Sequence, residues 1–193
     1  LADRLDARPG REPLRVLSIA AGPAQEVYEL LRDRKSLPCP LEVVLFDQDE
    51  GALSYAYGRL KGLVDSKWPE GVRIVYLHDS IKRLLKDPGI FAPFGRFDVV
   101  FCCGLFDYLA LRTAVVLCRS LFQNLEEGGS LYVGNMVPDN PNRWFMELHL
   151  DWFLLYRTRA ELLDMARLAV PDARIDIVEE ATGLNPFVSL GKI

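Results

Sequence analysis

VLSIAAGPAQEV, residues 16–27, changes from a short apolar run into a segment with helical spacing, across a turn that holds one glycine and one proline. A buried strand that leads through such a turn into a helix is typical of nucleotide-binding α/β domains. A dinucleotide fingerprint would place further glycines at Ala20 and Gln25, so the turn is a poor cradle for a pyrophosphate. Gly22 can let the backbone approach a ligand, and we expect Pro23 to occupy the first helical position.

Short apolar segments alternate with segments of helical spacing through the first two thirds of the chain. Five runs rich in β-branched and aromatic residues are typical of strands buried on both faces, at 14–20, 41–46, 73–78, 97–103 and 130–135. Apolar residues at helical spacing lie between them, at 24–31, 53–63 and 111–125. This alternation predicts right-handed βαβ crossovers and a doubly wound α/β fold with a parallel sheet.

The last third departs from this alternation. Residues 140–157 are apolar on nearly all sides, and Thr158 with Glu161 has the spacing of a capping box, so a helix is predicted after Thr158. Two further strands are predicted at 174–180 and 186–193, joined through a segment that contains glycine and asparagine. The chain therefore ends in a predicted antiparallel hairpin at the sheet edge.

Length and composition favour one α/β domain over residues 14–193, preceded by a helical remnant at 1–13. The chain begins at Leu1 without methionine, so we expect a further segment upstream. The net charge of −4 disfavours nucleic acid as a partner. No apolar run reaches the roughly 18 residues of a membrane span, and no signal peptide opens the chain, which predicts a soluble, cytoplasmic protein.

The four cysteines and two histidines lack the spacing of zinc ligands, so no metal site is predicted. Three of the cysteines lie in apolar stretches, where buried, reduced thiols are expected.

Two carboxylates follow the second and third predicted strands. Asp47 stands where an acidic residue would accept hydrogen bonds from both hydroxyls of a ribose. Its alternative is a helix N-cap, a role that Asp49 suits better. Asp79 could accept the amino proton of an adenine, with backbone contacts from Ser80 or Ile81, although a cap by Asp79 or Ser80 is nearly as good an interpretation. Together these features describe a pocket for an adenosine that carries no phosphates.

From about residue 14 onward the chain resembles the class I S-adenosylmethionine-dependent methyltransferases. VLSIAAGPA, DQDEGAL, LHDSI, FDVVFCCGLFDYL and LEEGGSLYVGN look like the family's successive motifs. The resemblance implies a Rossmann-like sheet of seven strands in the order 3-2-1-4-5-7-6, with strand 7 antiparallel. It implies an S-adenosylmethionine site formed by Ala20, Ala21, Gly22, Pro23, Asp47, Gln48, Asp79, Ser80, Ile81, Cys103 and Gly104. SIAAGPAQEV, GLFDYL and DWFLLYRTRAEL are also similar to a bacterial branch associated with methyl esters of 3-hydroxy fatty acids.

The expected activity is methyl transfer to a small molecule, with a carboxylate or a fatty-acid-derived acceptor as the leading candidate. A carboxylate is ionised at pH 7 and needs no general base, whereas a hydroxyl acceptor would need one. Candidate catalytic residues are Tyr108, His149 and Arg143, of which Arg143 or His149 could orient an acid. Further candidates near the acceptor are Asp107, Asn135, Phe145, Asp151, Trp152, Phe153, Tyr156 and Arg157.

Each acceptor-side candidate also has a structural interpretation. Tyr108 and Trp152 could pack in a core or lid, and His149 could be a satisfied structural histidine. Arg157 could pair with an acid, and Asp107 could cap the helix that follows it. Relative to the family, Ser18 replaces a common acid, and Ala20 and Ala24 replace glycines. A module that keeps the fold without methyl transfer is therefore the alternative function, and a homodimer is also expected.

Overall fold

The computed structural model describes residues 1–8, 10 and 12–193. Its seven strands lie in the order β3-β2-β1-β4-β5-β7-β6. They are β1 (Leu14–Ile19), β2 (Leu41–Asp47), β3 (Val72–His78), β4 (Phe97–Cys102), β5 (Leu125–Gly134), β6 (Arg174–Val178) and β7 (Phe187–Gly191). β1 pairs in parallel with β2 and β4, and β2 with β3, whereas β7 is antiparallel to both β5 and β6. The predicted fold class, strand order and antiparallel seventh strand are confirmed.

The helices are α1 (Ala2–Asp6), α2 (Gln25–Asp33), α3 (Glu50–Lys67), α4 (Ile81–Lys86), α5 (Leu111–Gln123), α6 (Arg143–His149) and α7 (Arg159–Ala169), with 3-10 turns at Pro88–Phe94 and Phe106–Tyr108. α1 lies in the predicted helical remnant 1–13, of which residues 9 and 11 lie outside the described residues. Among the helices of the described residues, none combines the length and apolar character that a membrane span requires.

The chain comprises two compact units, and the first is Leu1–Phe101. Here α3 packs on β2 and β3. The ring of Phe91 meets those of Phe46 and Phe97 edge-on, with centroids 5.5 and 6.2 Å apart. Edge-to-face rings at this spacing add about 0.5 to 1.5 kcal/mol each beyond the burial of their area. This packing orders β2 and β3, whose carboxyl ends lead to Asp47 and Asp79.

The second unit is Cys102–Ile193. α7 packs on α5, β6 and β7, and its inward side chains Leu162 and Met165 have no exposed surface. α7 begins as predicted, because the Thr158 hydroxyl accepts from the Glu161 N–H and the Glu161 carboxylate accepts from the Thr158 N–H. These two bonds satisfy donors that the first turn of a helix leaves open.

Two local predictions were wrong. Leu125 continues the helical spacing of α5 but begins β5, so that strand starts five residues before the predicted run at 130. The reason is pairing with the end of the chain: the Gly128 N–H donates to the Lys192 carbonyl, and the Lys192 N–H to the Gly129 carbonyl. Pro23 lies in a turn rather than at the first helical position, because α2 begins only at Gln25.

Candidate functional site

The loop between β1 and α2 contains three left-handed residues within five positions. Ala20, Gly22 and Ala24 have φ values of 51°, 52° and 50°. The Ala24 N–H donates to the Ala21 carbonyl, and the Ala21 N–H to the Phe46 carbonyl at the end of β2. Left-handed backbone suits glycine, and an alanine held there costs about 1 to 2 kcal/mol. The loop therefore keeps a glycine-type conformation at two positions where the sequence has alanine.

Asp47, the last residue of β2, joins this loop through its side chain. Its Oδ2 accepts from the Gly22 N–H at 2.7 Å and its Oδ1 from the Asp49 N–H at 2.9 Å. Asp49 is the N-cap of α3, because its side chain accepts from the Ala52 N–H. The capping interpretation of Asp47 was therefore wrong. An ionised carboxylate has about four acceptor positions, so Asp47 can still accept hydrogen bonds from a ligand while it holds the loop.

Asp79 follows β3, and its backbone N–H donates to the Asp47 carbonyl at 3.1 Å. Its side chain accepts from the Ser80 N–H and from Arg83 Nη1, both at 2.7 Å. Ser80 is the N-cap of α4, so the cap falls on Ser80 and not on Asp79. Arg83 and an adenine amino group would compete for the exposed side of this carboxylate.

The remaining predicted residues of the first unit lie beside these carboxylates. Gln48 is exposed, and its carbonyl lies 3.1 Å from Nε2 of His78. Ile81 is the buried first residue of α4. The first unit thus brings Ala20–Pro23, Asp47, Gln48, Asp79, Ser80 and Ile81 to the carboxyl ends of three adjacent parallel strands, the edge at which doubly wound sheets bind ligands.

Cys103 and Gly104 lie in the second unit, directly after β4. The Cys103 carbonyl receives the Asn185 amide at 3.4 Å. A Cβ on Gly134 would lie 2.8 Å from that carbonyl, so this crossing needs glycine. All four cysteines are free thiols. Cys102 and Cys118, in apolar stretches, are buried as predicted, whereas Cys103, also in an apolar stretch, is only partly buried. Cys39 is buried although it lies in a proline-rich connection.

The three candidate catalytic residues each have a different neighbour. Tyr108 is 54% exposed, so the interpretation that it packs in a core was wrong. Its hydroxyl accepts a hydrogen bond from the Trp152 indole N–H at 2.6 Å. Arg143 Nε pairs with Glu147 at 2.8 Å, and its guanidinium lies 4.7 Å from the centre of the Tyr156 ring. His149 is exposed on α6, and its ring lies against that of Phe145 with the centroids 5.3 Å apart.

Asp107, Asn135 and Arg157 form a buried polar cluster that we name the DNR cluster. Asp107 does not cap α5, whose N-cap is Ala110. Its Oδ1 accepts from the Asn135 amide at 2.8 Å and from the Met136 N–H at 2.7 Å. Burial raises the pKa of Asp107 to about 6, against the opposing effects of the Met136 N–H and the Arg157 charge.

Arg157 does not form the expected ion pair with an acid. Its guanidinium donates to the carbonyls of Phe106, at 2.8 Å, and Leu109, and to the side-chain oxygen of Asn135. Burial lowers the pKa of Arg157, although the charge of Asp107 opposes that shift. The sequence offered these three residues only as separate candidates, because their partners lie 22 to 51 positions away.

A cavity of about 840 Å³ lies in the second unit. It is lined by Leu111, Arg143, Leu155, Tyr156, Arg157 and Leu168, among others. Its volume lies within the range of small-molecule sites, and its lining combines apolar side chains with two arginines and the two acids Glu161 and Asp164.

No protein-family profile matches the chain, and no curated protein matches its sequence. Among solved structures, a possible exported protein from Bordetella parapertussis superposes with a TM-score of 0.69 at 20% identity, over 99% of this chain and 66% of that one. An O-methyltransferase family 2 protein from Planctomyces limnophilus, in complex with apigenin, gives 0.69 at 16% identity, over 98% and 56%. Magnesium protoporphyrin IX methyltransferase from Synechocystis, with bound SAH, gives 0.64 at 12% identity, over 97% and 77%.

The chain spans less than two thirds of the length of the first two of these structures. The chain shares its Rossmann-like fold with the methyltransferases from Planctomyces limnophilus and Synechocystis.

Proposed function

We propose that the chain binds S-adenosylmethionine and transfers its methyl group to a small-molecule acceptor. The observation that carries the proposal is the Asp47 carboxylate, which holds the Gly22 N–H at 2.7 Å at the carboxyl end of β2. The fold supports it, since structures with the same fold include methyltransferases and one of them contains SAH.

The proposed roles of the first unit follow from its donors and acceptors. Asp47 accepts from the ribose hydroxyls through its unused lone pairs, and the loop Ala20–Pro23 lies against the methionine part of the ligand. Gln48 and Ile81 contact the adenine ring, and Asp79 with Ser80 contacts its polar edge. For the second unit, we propose that Cys103 and Gly104 also contribute to cofactor binding. The proposed ligand carries no phosphate, which agrees with a loop whose Ala21, Gly22 and Ala24 N–H groups are already bonded within the protein.

The proposed chemistry requires little from the protein beyond placement. Bound S-adenosylmethionine supplies an electrophilic methyl group on a sulfonium. The protein's task is to hold the acceptor oxygen in line with that methyl group, because orientation provides most of the acceleration in such displacements. We propose that Arg143 or His149 orients a carboxylate acceptor, and that the exposed rings of Phe145 and Phe153 contact its apolar part. A fatty-acid-derived acceptor, a homodimer and a cytoplasmic location remain predictions from the sequence.

Incubation with methyl-labelled S-adenosylmethionine and a panel of fatty carboxylates, phenols and amines tests the proposal. We expect base-labile label on a carboxylate, as a methyl ester releases its methyl group in alkali. Label on amines alone would contradict the proposed acceptor. Cofactor binding without label on any acceptor would favour the alternative, a module that has the fold but lacks transfer activity.

Arg143→Gln is the matched variant for the acceptor, and Arg167→Gln is its control. Both arginines pair with an acid on their own helix, but Arg167 is on α7 and outside the proposed site. We expect Arg143→Gln to raise KM for the carboxylate at unchanged cofactor affinity, and Arg167→Gln to change neither.

A further inference from the structure

The DNR cluster connects three segments of the second unit. Asn135, which follows β5, has no exposed surface. Its amide group donates to Asp107 Oδ1 at 2.8 Å and to the Leu155 carbonyl at 3.0 Å, while its oxygen accepts from Arg157. A buried network whose members are satisfied by one another holds its groups in a single arrangement.

Arg157 fixes the backbone of the turn that carries Tyr108. Its guanidinium donates to the carbonyls of Phe106 and Leu109, which lie on both sides of Tyr108 in the chain. The Leu155 N–H donates to the Asp107 carbonyl at 2.7 Å, inside the same turn. The planar guanidinium reaches the two carbonyls from two different nitrogens, Nη1 and Nη2, in a rigid fork, whereas the ammonium of a lysine would have to reach both from one nitrogen.

The same cluster anchors the irregular segment 150–158, which carries Trp152. The Arg157 N–H donates to the Met136 carbonyl at 3.0 Å. At the other end of the segment Asp151 has φ 50°, and the Trp152 N–H donates to the Met146 carbonyl of α6 at 2.9 Å. Both ends of the segment are therefore fixed, and the Trp152 indole meets the Tyr108 hydroxyl at 2.6 Å.

We propose that Arg157 is a positioning residue, which acts through the turn Phe106–Tyr108 and the segment 150–158 to set the placement of Tyr108 against Trp152 on the acceptor side of the second unit. The inference rests on the proposed function for its role in methyl transfer. Tyr108 and Trp152 are 54% and 40% exposed, so they can contact an acceptor, whereas Arg157 is 7% exposed and its guanidinium is bonded to the Phe106 and Leu109 carbonyls and to the Asn135 side chain.

Arg157→Lys tests the inference, with Arg119→Lys as a matched control. Arg119 also donates to two backbone carbonyls of the second unit, those of Leu168 and Ala169. The chain is labelled with 5-fluorotryptophan, and its three tryptophan resonances are assigned by single Trp→Phe variants and followed by fluorine NMR. We expect Arg157→Lys to shift the Trp152 resonance and to leave that of Trp68 unchanged. Arg119→Lys should leave the Trp152 resonance in place.

An unmoved Trp152 resonance in folded Arg157→Lys would overturn the inference, and so would an equal shift in Arg119→Lys. If Arg157→Lys does not fold, Arg157→Met, which retains an unbranched stem but removes every guanidinium donor to Phe106, Leu109 and Asn135, provides the same readout. With a labelled acceptor in hand, we expect Arg157→Lys to lower kcat about 10- to 100-fold at unchanged cofactor affinity. Failure of the wild type to bind S-adenosylmethionine would remove the proposed function, while the fluorine spectra would still decide the positioning claim.

Discussion

Replacing Ala20 with glycine should stabilise the protein, while the same change at the next residue should destabilise it. Ala20 has φ 51° and is partly exposed, so glycine relieves about 1 to 2 kcal/mol of left-handed strain. Glycine also loses about 0.5 to 1 kcal/mol more backbone entropy on folding. The expected net gain in the free energy of unfolding is about 0.5 to 1 kcal/mol, or roughly 1 to 4 °C in Tm for a chain of this size.

Ala21 and Ala24 provide the controls. Ala21 is buried at 8% exposure and is not among the residues with positive φ, so Ala21→Gly should cost about 1 to 2 kcal/mol in entropy and lost methyl burial. Ala24 has φ 50° but no exposed surface, so the relief of about 1 to 2 kcal/mol of strain is nearly cancelled by the entropy cost of about 0.5 to 1 kcal/mol together with the loss of a buried methyl group, about 0.8 kcal/mol.

The assay is urea unfolding of the three variants and the wild type at constant m-value. The expected order of stability is Ala20→Gly above wild type, Ala24→Gly near it and Ala21→Gly below it. If Ala20→Gly loses as much stability as Ala21→Gly, Ala20 is not in a left-handed conformation and the reasoning about the loop fails.

Three further predictions concern the second unit. The pKa of Asp107 is about 6, above its ordinary value of 3.8, so the protonated carboxyl stabilises the fold fully below about pH 4 and this stabilisation is lost as the pH rises through 6. The asparagine of Asp107→Asn does not titrate. The free energy of unfolding of this variant, relative to wild type, should therefore increase by about 2 to 3 kcal/mol between pH 4 and pH 8, as measured by urea unfolding. Thr158→Ala removes the capping box of α7 and should cost about 1 kcal/mol in the same assay, whereas Thr158→Ser should cost much less. Asp151 has φ 50°, so Asp151→Gly should lose no stability, while Asp151→Val should lower Tm by several degrees in a thermal melt. Equal Tm values for the two variants would contradict the left-handed geometry.

Much of the fold was predictable because buried parallel strands and amphipathic helices leave separate periodicities in the sequence. The residues themselves also indicated the antiparallel hairpin at the end of the chain, whereas the strand order was implied only by the resemblance to the class I S-adenosylmethionine-dependent methyltransferases. Asp49 was correctly preferred to Asp47 as the cap of α3. The start of β5 was missed, since Leu125 continues a helical spacing and only pairing with residues near 192 makes it a strand.

Other features had no local signal. A left-handed glycine can be anticipated from the residue itself, but left-handed alanines at 20 and 24 cannot, because alanine rarely adopts that conformation. Only the resemblance, which places glycines at these two positions, pointed to such a backbone. Asp107 fitted a helix cap locally, and only the fold brings Asn135 and Met136 to its carboxylate. Long-range polar partners of this kind are set by tertiary structure.

The most direct test of the central claim is calorimetric titration of the wild type and Asp47→Ala with S-adenosylmethionine, with Asp49→Ala as the control for a neighbouring carboxylate that caps α3. We predict saturable binding to the wild type and a loss of about 1 to 3 kcal/mol in Asp47→Ala, which is roughly a 5- to 150-fold weaker Kd. Asp49→Ala should bind nearly as the wild type does. A folded wild-type protein that does not bind S-adenosylmethionine would contradict the proposed function, and an affinity unchanged in Asp47→Ala would contradict the ribose contact on which it rests.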